Sequence, residues 1–223
     1  MAAKISIVNV DASTAHQTYS VSFFNDEVHT TVTSDAGTVT KWINQIDHPN
    51  LLTAGLGIHF RHPDDLTGTT IELCVGGRCL IYQLDLIVVD HHPEALLNFL
   101  HYEGYTFVGV GIFPDVKRLN DDHAIYIPEK NLLDLRQLTV YNYCGPRDLR
   151  EYKFHQTGLR ELAEVVLEKE VEDLAPESVM LRRWDFRRLT SEQVRHACVK
   201  AFVSFEIGRV LNAREYNYRS LRS

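Results

Sequence analysis

The segment 106–119, TFVGVGIFPDVKRL, constrains the fold of this chain more than any other stretch. It opens with Phe107 and Val108, an aromatic and a β-branched residue of the kind that fill a buried strand. Gly109 and Gly111 interrupt this apolar run. Because glycine weakens a strand interior, two glycines in alternation predict that another part of the backbone, or a ligand, comes close to the strand.

The same segment presents an acid where a helix should begin. Pro114 is typical of a first helical turn, because its missing N–H costs nothing there. Asp115 follows, and a carboxylate in a first turn suits the positive end of the helix dipole. A buried strand that leads an acid to a helix N-terminus is a common way to present a ligand-binding or catalytic group. The plainer alternative is an ordinary strand–helix junction.

Hydrophobic periodicity predicts the remaining elements. Alternating residues near the N-terminus are typical of strands, with a hairpin turn at Asn25 and Asp26. A helix capped by Asp35 or Ser34 follows. The predicted strands are 5–10, 19–23, 28–32, 52–60, 69–75, 80–84 and 106–113, and the predicted helices are 35–46, 93–100, 115–119, 131–140, 158–167 and 191–211. This order favours one α/β domain with a mixed sheet, followed by a loosely ordered basic tail at 212–223.

The composition is that of an ordinary globular protein, with 223 residues, 44% hydrophobic and 24% charged. No apolar run approaches the roughly 18 residues that a membrane helix needs, and the N-terminus lacks a signal-peptide pattern. These features predict an intracellular protein, in the nucleus or the cytoplasm, without a membrane partner. Cys74 and Cys79 flank a turn and are expected to face each other as reduced thiols, because no second Cys/His pair completes a zinc site. Cys144 and Cys198 are isolated.

Charge is spread unevenly along the chain. The formal net charge is −7, but residues 1–178 carry 13 basic and 26 acidic side chains, whereas residues 179–223 carry 10 basic and 4 acidic ones. This asymmetry favours a local phosphate-binding face on an otherwise acidic body. The alternative is that the arginines pair with the acidic body. The candidate nucleic-acid-binding residues are Arg182, Arg183, Arg187 and Arg188.

Six segments between residues 52 and 211 resemble, in order and spacing, the 3′–5′ exonuclease domain of the Werner-like branch of the DEDD exonucleases. They are AGLGIHF (54–60), TTIELCVGGRCLIYQL (69–84), TFVGVGIFPDVKRL (106–119), GLRELAEVVL (158–167), RRWDFRRLT (182–190) and EQVRHACVKAFVSFEIGRVL (192–211). The resemblance implies a ribonuclease H-like fold, a central mixed β-sheet flanked by α-helices. Residues 1–51 are expected to add N-terminal strands and a helix to a single domain.

The resemblance also implies where a metal site should lie. In that family four carboxylates hold two metal ions, and a tyrosine helps to position the attacking water. The first motif, an aspartate and a glutamate separated by one residue, falls on Gly57 and His59. The second motif keeps its aspartate as Asp115. The third, a tyrosine four residues before an aspartate, falls on His196 and Lys200.

Only one of the four acids survives, so the two-metal site is expected to be dismantled, with at most weak magnesium or manganese binding at Asp115. A two-metal phosphodiesterase needs hard oxygen ligands that hold the metals about 3.5–4 Å apart. Gly57 offers no ligand, His59 suits manganese or zinc better than magnesium, and Lys200 brings positive charge to a position meant for a dication. Under the family geometry, Lys200 and Asp115 are expected to form a salt bridge; the alternative is that Lys200 bends to solvent on the helix surface.

Three functions are compatible with this pattern. The preferred one is a degenerate exonuclease that binds single- or double-stranded nucleic acid, with lost or much reduced catalysis. The alternatives are a residual manganese-dependent 3′–5′ exonuclease and a non-catalytic oligomeric scaffold. The acidic body counts against tight non-specific nucleic-acid binding. For self-association, the predicted hairpin at 19–32 offers a strand edge.

Two further patterns suggest metal binding less strongly. The segment LIVVDHHP (86–93) is similar to the motif of the DHH phosphoesterases, but the earlier aspartate cluster of that family is missing. His59 and His62 are better explained as a strand histidine and a loop histidine than as a metal pair. Trp184 is predicted to pack in the core.

Overall fold

The computed structural model describes residues 6–12, 15–46, 52–60, 69–84, 92–145, 148, 150–171, 184 and 188–220. Within these ranges, no helix combines the length and apolar character needed to cross a membrane. The chain folds in the order of strands, one helix, further strands and then mainly helices, as the sequence predicts.

In the described chain, eight strands form one mixed sheet in the order β1-β2-β3-β6-β5-β4-β7-β8. Three neighbouring pairs are parallel, β3 with β6, β4 with β7 and β7 with β8, and the other pairs are antiparallel. The strands are β1 (Ser6–Ala12), β2 (His16–Phe23), β3 (Asp26–Thr33), β4 (Thr53–His59), β5 (Thr69–Val75), β6 (Arg78–Leu84), β7 (Thr106–Gly109) and β8 (Leu132–Asp134).

Helices cover both faces of the sheet and enclose a hydrophobic cluster on each face. The first three pack on one face, and the next four pack on the other. The helices are α1 (Ala36–Asn44), α2 (Glu94–His101), α3 (Ile112–His123), α4 (Leu135–Tyr143), α5 (Arg150–Gln156), α6 (Leu159–Leu167), α7 (Ser191–Val210) and α8 (Ala213–Ser220), with a short 3-10 turn at Glu129–Asn131. The predicted mixed sheet flanked by helices is therefore confirmed.

The N-terminal hairpin forms as predicted, but it is not the edge of the sheet. Its turn is Phe24 and Asn25, one residue earlier than expected, because Phe23 pairs with Asp26. Strand β1 covers β2, and β6 pairs with β3, so both hairpin strands have partners on both sides. The prediction that this hairpin supplies a free edge is wrong, and β1 is the outer strand instead. The predicted Asp35 cap of α1 is confirmed, since its carboxylate accepts the Thr38 N–H at 2.7 Å.

The segment 106–119 turns from strand to helix earlier than predicted. Strand β7 ends at Gly109, and α3 begins at Ile112, because Gly111 adopts a left-handed φ of 66° that turns the chain. Pro114 lies within the first turn of α3, where its missing N–H breaks no hydrogen bond. A Cβ on Gly109 would lie 2.8 Å from the Leu56 carbonyl oxygen. The predicted close approach of another backbone segment is thus confirmed.

Two predictions for the C-terminal half are wrong. The helix predicted at 131–140 is divided into strand β8 and helix α4, because Leu132 and Leu133 pair with β7 before Asp134 caps the helix. The tail predicted to be loose forms helix α8 over most of its length. Asn217 fixes this helix to the body, since its amide donates to the Lys130 carbonyl oxygen at 2.6 Å.

The cysteines behave as the sequence predicts. Cys74 and Cys79 are directly opposite each other on β5 and β6, and all four cysteines are free thiols. Burial raises the pKa of Cys74, Cys79 and Cys198, so these thiols are poor nucleophiles.

Candidate functional site

Helix α7 lies directly against strand β4, and this contact assembles the site. A Cβ on Gly55 would overlap the Ala201 carbonyl oxygen and lie 2.8 Å from the Phe205 nitrogen, so a larger residue would push the helix away. A capping box starts the helix: the Thr190 hydroxyl accepts the Gln193 N–H at 3.3 Å, and the Gln193 side chain accepts the Thr190 N–H at 2.9 Å. The sequence thus fixes both where α7 begins and how closely it approaches the sheet.

The positions of the three family motifs come together at this contact. Gly57 and His59 follow Gly55 at intervals of two residues, so they share the face of β4 that α7 covers. His196 and Lys200 lie one turn apart on α7, on the same side of the helix. Asp115 lies in the first turn of α3, which follows β7 beside β4. The arrangement matches the one that the resemblance implies.

Glu72 of β5 is a further site residue that the motif comparison does not reveal. It is the cross-strand partner of Gly57, and its side chain is 0% exposed. A Cβ on Gly57 would overlap Glu72 Oε2 and lie 3.4 Å from Glu72 Cβ. The Glu72 carboxylate therefore fills the space that a side chain at Gly57 would take. The available signal was a single acid in the otherwise uncharged strand TTIELCV, since a buried charge needs a partner.

The two oxygens of Glu72 have different surroundings. Oε1 accepts a short hydrogen bond from the Thr70 hydroxyl and lies 3.0 Å from His59 Nδ1. His59 Nδ1 makes no hydrogen bond that meets the geometric criteria, and the Glu72 carboxylate raises the pKa of this imidazole against a larger lowering by burial. Oε2 is buried without a hydrogen-bond partner among the residues that the structure describes. A buried carboxylate oxygen in this situation favours a nearby cation.

His59 is enclosed by two other rings. The Trp184 indole stacks on it with a centroid distance of 4.2 Å, and His196 meets it edge-on at 5.1 Å. Trp184 is 1% exposed, which confirms that it packs in the core. The aromatic stack closes one side of the site.

The Lys200 ammonium lies over β4. It donates to the Ile58 carbonyl oxygen at 3.3 Å. In the sheet, β4 lies between β5, which carries Glu72, and β7, which leads into α3 and Asp115. The predicted Lys200–Asp115 salt bridge is wrong in its direct form, because it is absent from the ion pairs of the described chain and the ammonium binds the strand carbonyl instead.

Burial and charge set the protonation of this cluster. Burial raises the pKa of Asp115, and the charge of Lys200 opposes that rise. Burial lowers the pKa of His59, although the Glu72 carboxylate opposes the effect. Burial lowers the pKa of His196 to about 3, with further contributions from His59 and Lys200. Both imidazoles are therefore neutral near pH 7.

These residues do not fit the two metal ions that the resemblance implies. Among the described residues, the carboxylates available as oxygen ligands are those of Glu72 and Asp115, and the two imidazoles are softer ligands than magnesium prefers. Across the described ranges, no three His, Cys, Asp or Glu side chains are placed to hold a metal ion together. Lys200 adds a positive charge at the same place. The donor set thus differs in number and in charge from a two-metal centre.

The other predicted functional residues lie apart from this cluster or outside the described ranges. Arg188 is exposed just before α7 and is near enough to Tyr19 for its charge to lower the pKa of that phenol, against a larger rise from burial. His92 Nε2 hydrogen-bonds to the His123 carbonyl oxygen at 2.9 Å, which links α2 to α3. Outside the described residues lie Arg182, Arg183, Arg187, His62, Asp90 and His91.

No family model matches this chain. A curated protein of Arabidopsis thaliana named 3′–5′ exonuclease is 26% identical over 173 residues, which cover 74% of this chain and 54% of that protein. The chain therefore spans about half the length of this relative.

Solved structures show the fold. RNase D of Trypanosoma brucei in complex with RNA U12 superposes with a TM-score of 0.63 and 14% identity, over 82% of this chain and 62% of that one. The chain has the fold of the DEDD 3′–5′ exonuclease domains. The Aedes aegypti Nibbler EXO domain agrees, with a TM-score of 0.57 and 16% identity over 84% of this chain and 88% of that one.

In this exonuclease fold, the cluster around Gly57 lies where the resemblance places the catalytic acids. Strand β4 supplies the first motif, α3 the second and α7 the third. The fold is present, and Gly57, His59 and Lys200 stand where the resemblance implies acids. What the site does must therefore be inferred from the side chains that are present.

Proposed function

We propose that this protein is an exonuclease-like domain of the Werner type that binds nucleic acid and has lost most or all of its catalytic activity. One observation carries the proposal: the Lys200 ammonium rests on the carbonyl of Ile58, within a site whose described residues include two carboxyl groups, Glu72 and Asp115. Like unit charges roughly 4 Å apart repel by about 4 kcal/mol at an effective dielectric of 20, and a dication doubles the figure. A charged Lys200 thus opposes the metal binding that phosphodiester cleavage requires.

The fold and the charge distribution support nucleic acid as the partner. RNase D, which shares the fold, was solved with RNA. The segment 179–223 has an excess of basic residues on an otherwise acidic chain, and Arg188 of that segment is exposed. Arginines contact phosphates without regard to base sequence, so single- and double-stranded polymers are both candidates. An intracellular location, in the nucleus or the cytoplasm, accompanies this proposal.

Salt-dependent binding tests this proposal. Fluorescence anisotropy with labelled single- and double-stranded RNA and DNA, in EDTA, separates binding from cleavage. We expect the affinity to fall with salt, because bound arginines release counterions from phosphates. The variant Arg187→Gln/Arg188→Gln should bind about tenfold more weakly, with a salt slope reduced by roughly one for each lost phosphate contact.

The matched control is Arg150→Gln/Arg160→Gln. It removes the same charge from two exposed arginines outside the basic segment, which pair with Asp148 and Glu164. It should keep wild-type affinity within about twofold. Absence of binding at low salt would exclude nucleic-acid binding and favour the scaffold alternative, whose self-association light scattering would detect. Equal losses in both double variants would show that only net charge matters.

A further inference from the structure

We propose that Glu72 has replaced the missing first-motif acid and that the Lys200 ammonium is the cation that Glu72 and Asp115 now share. The site is then a self-neutralised charge cluster that needs no metal ion. This inference goes beyond nucleic-acid binding, because it concerns what holds the former metal site together and is valid whether or not a polymer binds.

Glu72 faces the first-motif position Gly57 from the neighbouring strand. It lies opposite Gly57 across the β4–β5 ladder, so both point to the face that α7 covers. The overlap of its Oε2 with a Cβ on Gly57 means that the carboxylate reaches across to β4. Negative charge has therefore stayed at the first-motif position, although the residue that carries it belongs to the next strand.

A carboxylate at this depth needs a positive partner. Glu72 is fully buried, its Oε2 is unpaired within the described chain, and its ionised form would be costly without compensation. His59 is the nearest basic group, but burial lowers its pKa and keeps it neutral. Arg118 on α3 hydrogen-bonds to Asp122 at 3.0 Å and stacks over the Phe60 ring.

Lys200 meets the requirement. Its ammonium has three N–H donors, and one is used by the Ile58 carbonyl oxygen. Strand β4 lies between β5, which carries Glu72, and β7, which leads into α3 and Asp115, so an ammonium over β4 can serve both carboxyl groups through water. The charge of Lys200 acts on Asp115, since it opposes the rise in pKa that burial causes.

A double-mutant cycle tests this assignment by thermal unfolding, without reference to nucleic acid. Lys200→Met should lower the Tm by about 3–6 °C, because two carboxyl groups lose their cation. Lys200→Arg, which keeps the charge, should recover most of that loss. Lys117→Met on the exposed side of α3 is the matched control and should change the Tm by no more than about 1 °C. In the backgrounds Glu72→Gln and Asp115→Asn, the Lys200→Met change should cost less than half as much.

Two results would overturn the inference. The first is an additive cycle in both backgrounds, or a Lys200→Met protein as stable as the wild type. The second is a wild-type Tm that rises with Mn²⁺ and loses this response in Glu72→Gln, because a metal ion would then be the cation of the site. Nucleic-acid binding can fail while the cycle succeeds, so the two proposals fail separately.

Discussion

At the scale of single residues, the histidines at positions 59 and 196 show how burial has changed the chemistry of the site. Each is 7% exposed, and each stands at a position where the resemblance to the exonucleases implies a metal ligand or a water-positioning tyrosine. His196 faces His59 across the β4–α7 contact, with Trp184 beside both and with Arg195 and Lys200 on its own helix. These surroundings lower the pKa of both imidazoles, so both rings stay neutral near pH 7.

The low pKa of His196 should therefore make the fold less stable at mildly acidic pH, because the imidazole gains a proton in the unfolded chain and not in the folded protein. Its pKa is about 3 when folded and about 6.5 in the unfolded chain, so the unfolded state binds more protons between these values. The stability that the neutral ring provides is complete above pH 6.5 and is lost as the pH falls. From about pH 7.5 to 5.5, this one group should lower the free energy of unfolding by about 1.4 kcal/mol.

Urea unfolding of His196→Gln measures that contribution. The variant should lose less stability over this pH range than the wild type does, because its side chain does not titrate. His155→Gln, on the exposed surface of α5, is the control and should behave as the wild type. A variant with an unchanged pH dependence would show that His196 is not the group responsible.

At the scale of elements, the approach of α7 to β4 is the contact on which the site depends. The sequence AGLGIHF places Gly55 where the helix backbone touches the strand, and the first-motif positions follow it on the same face. Gly55→Ala should lower the free energy of unfolding by about 1–3 kcal/mol or more, because an added Cβ overlaps the Ala201 carbonyl oxygen. Chemical denaturation checks this value.

Gly145→Ala provides the control for that measurement. Among the described residues other than its chain neighbours, no atom lies within 4 Å of a Cβ built on Gly145, so the substitution should be tolerated. If Gly55→Ala were as stable as Gly145→Ala, the close contact between α7 and β4 would not exist in solution.

How far the sequence predicts such elements depends on how long their patterns are. Helix α7 and strands β2 to β6 have long apolar patterns, and their predicted positions are confirmed. Strand β8 has three residues, too few to show a period of two. Its leucines were therefore predicted to belong to a helix. Helix α8 has a polar sequence, and its order depends on long-range contacts such as that of Asn217 with Lys130.

The candidate site was predictable in part for a related reason. Motif spacing located Gly57, Asp115 and Lys200 in one place, because the order of strands and helices fixes where they meet. Glu72 comes from a different strand from the one that the motif names, and only the β4–β5 register shows it beside Gly57. The hydrogen bond from Lys200 to the Ile58 carbonyl oxygen could not be predicted either, since a local sequence does not specify which acceptor an ammonium reaches.

At the scale of the whole molecule, the protein combines an exonuclease fold with a charge pattern unlike that of a two-metal enzyme. The overall charge is −7, and the excess of basic residues is confined to the C-terminal segment. A basic segment of this kind favours binding to a phosphate backbone, while the acidic remainder of the chain limits non-specific association. We therefore expect the protein to bind nucleic acid without cleaving it.

A degradation assay tests that claim most directly. End-labelled single- and double-stranded RNA and DNA would be incubated with the wild type and with Asp115→Ala, in Mg²⁺, Mn²⁺ or EDTA, and resolved on a sequencing gel. We expect no metal-dependent shortening of the labelled RNA or DNA from the 3′ end, or the same trace with both proteins. Shortening that requires a metal ion and disappears in Asp115→Ala would contradict it, because Asp115, Glu72 and the histidines would then form a working catalytic site.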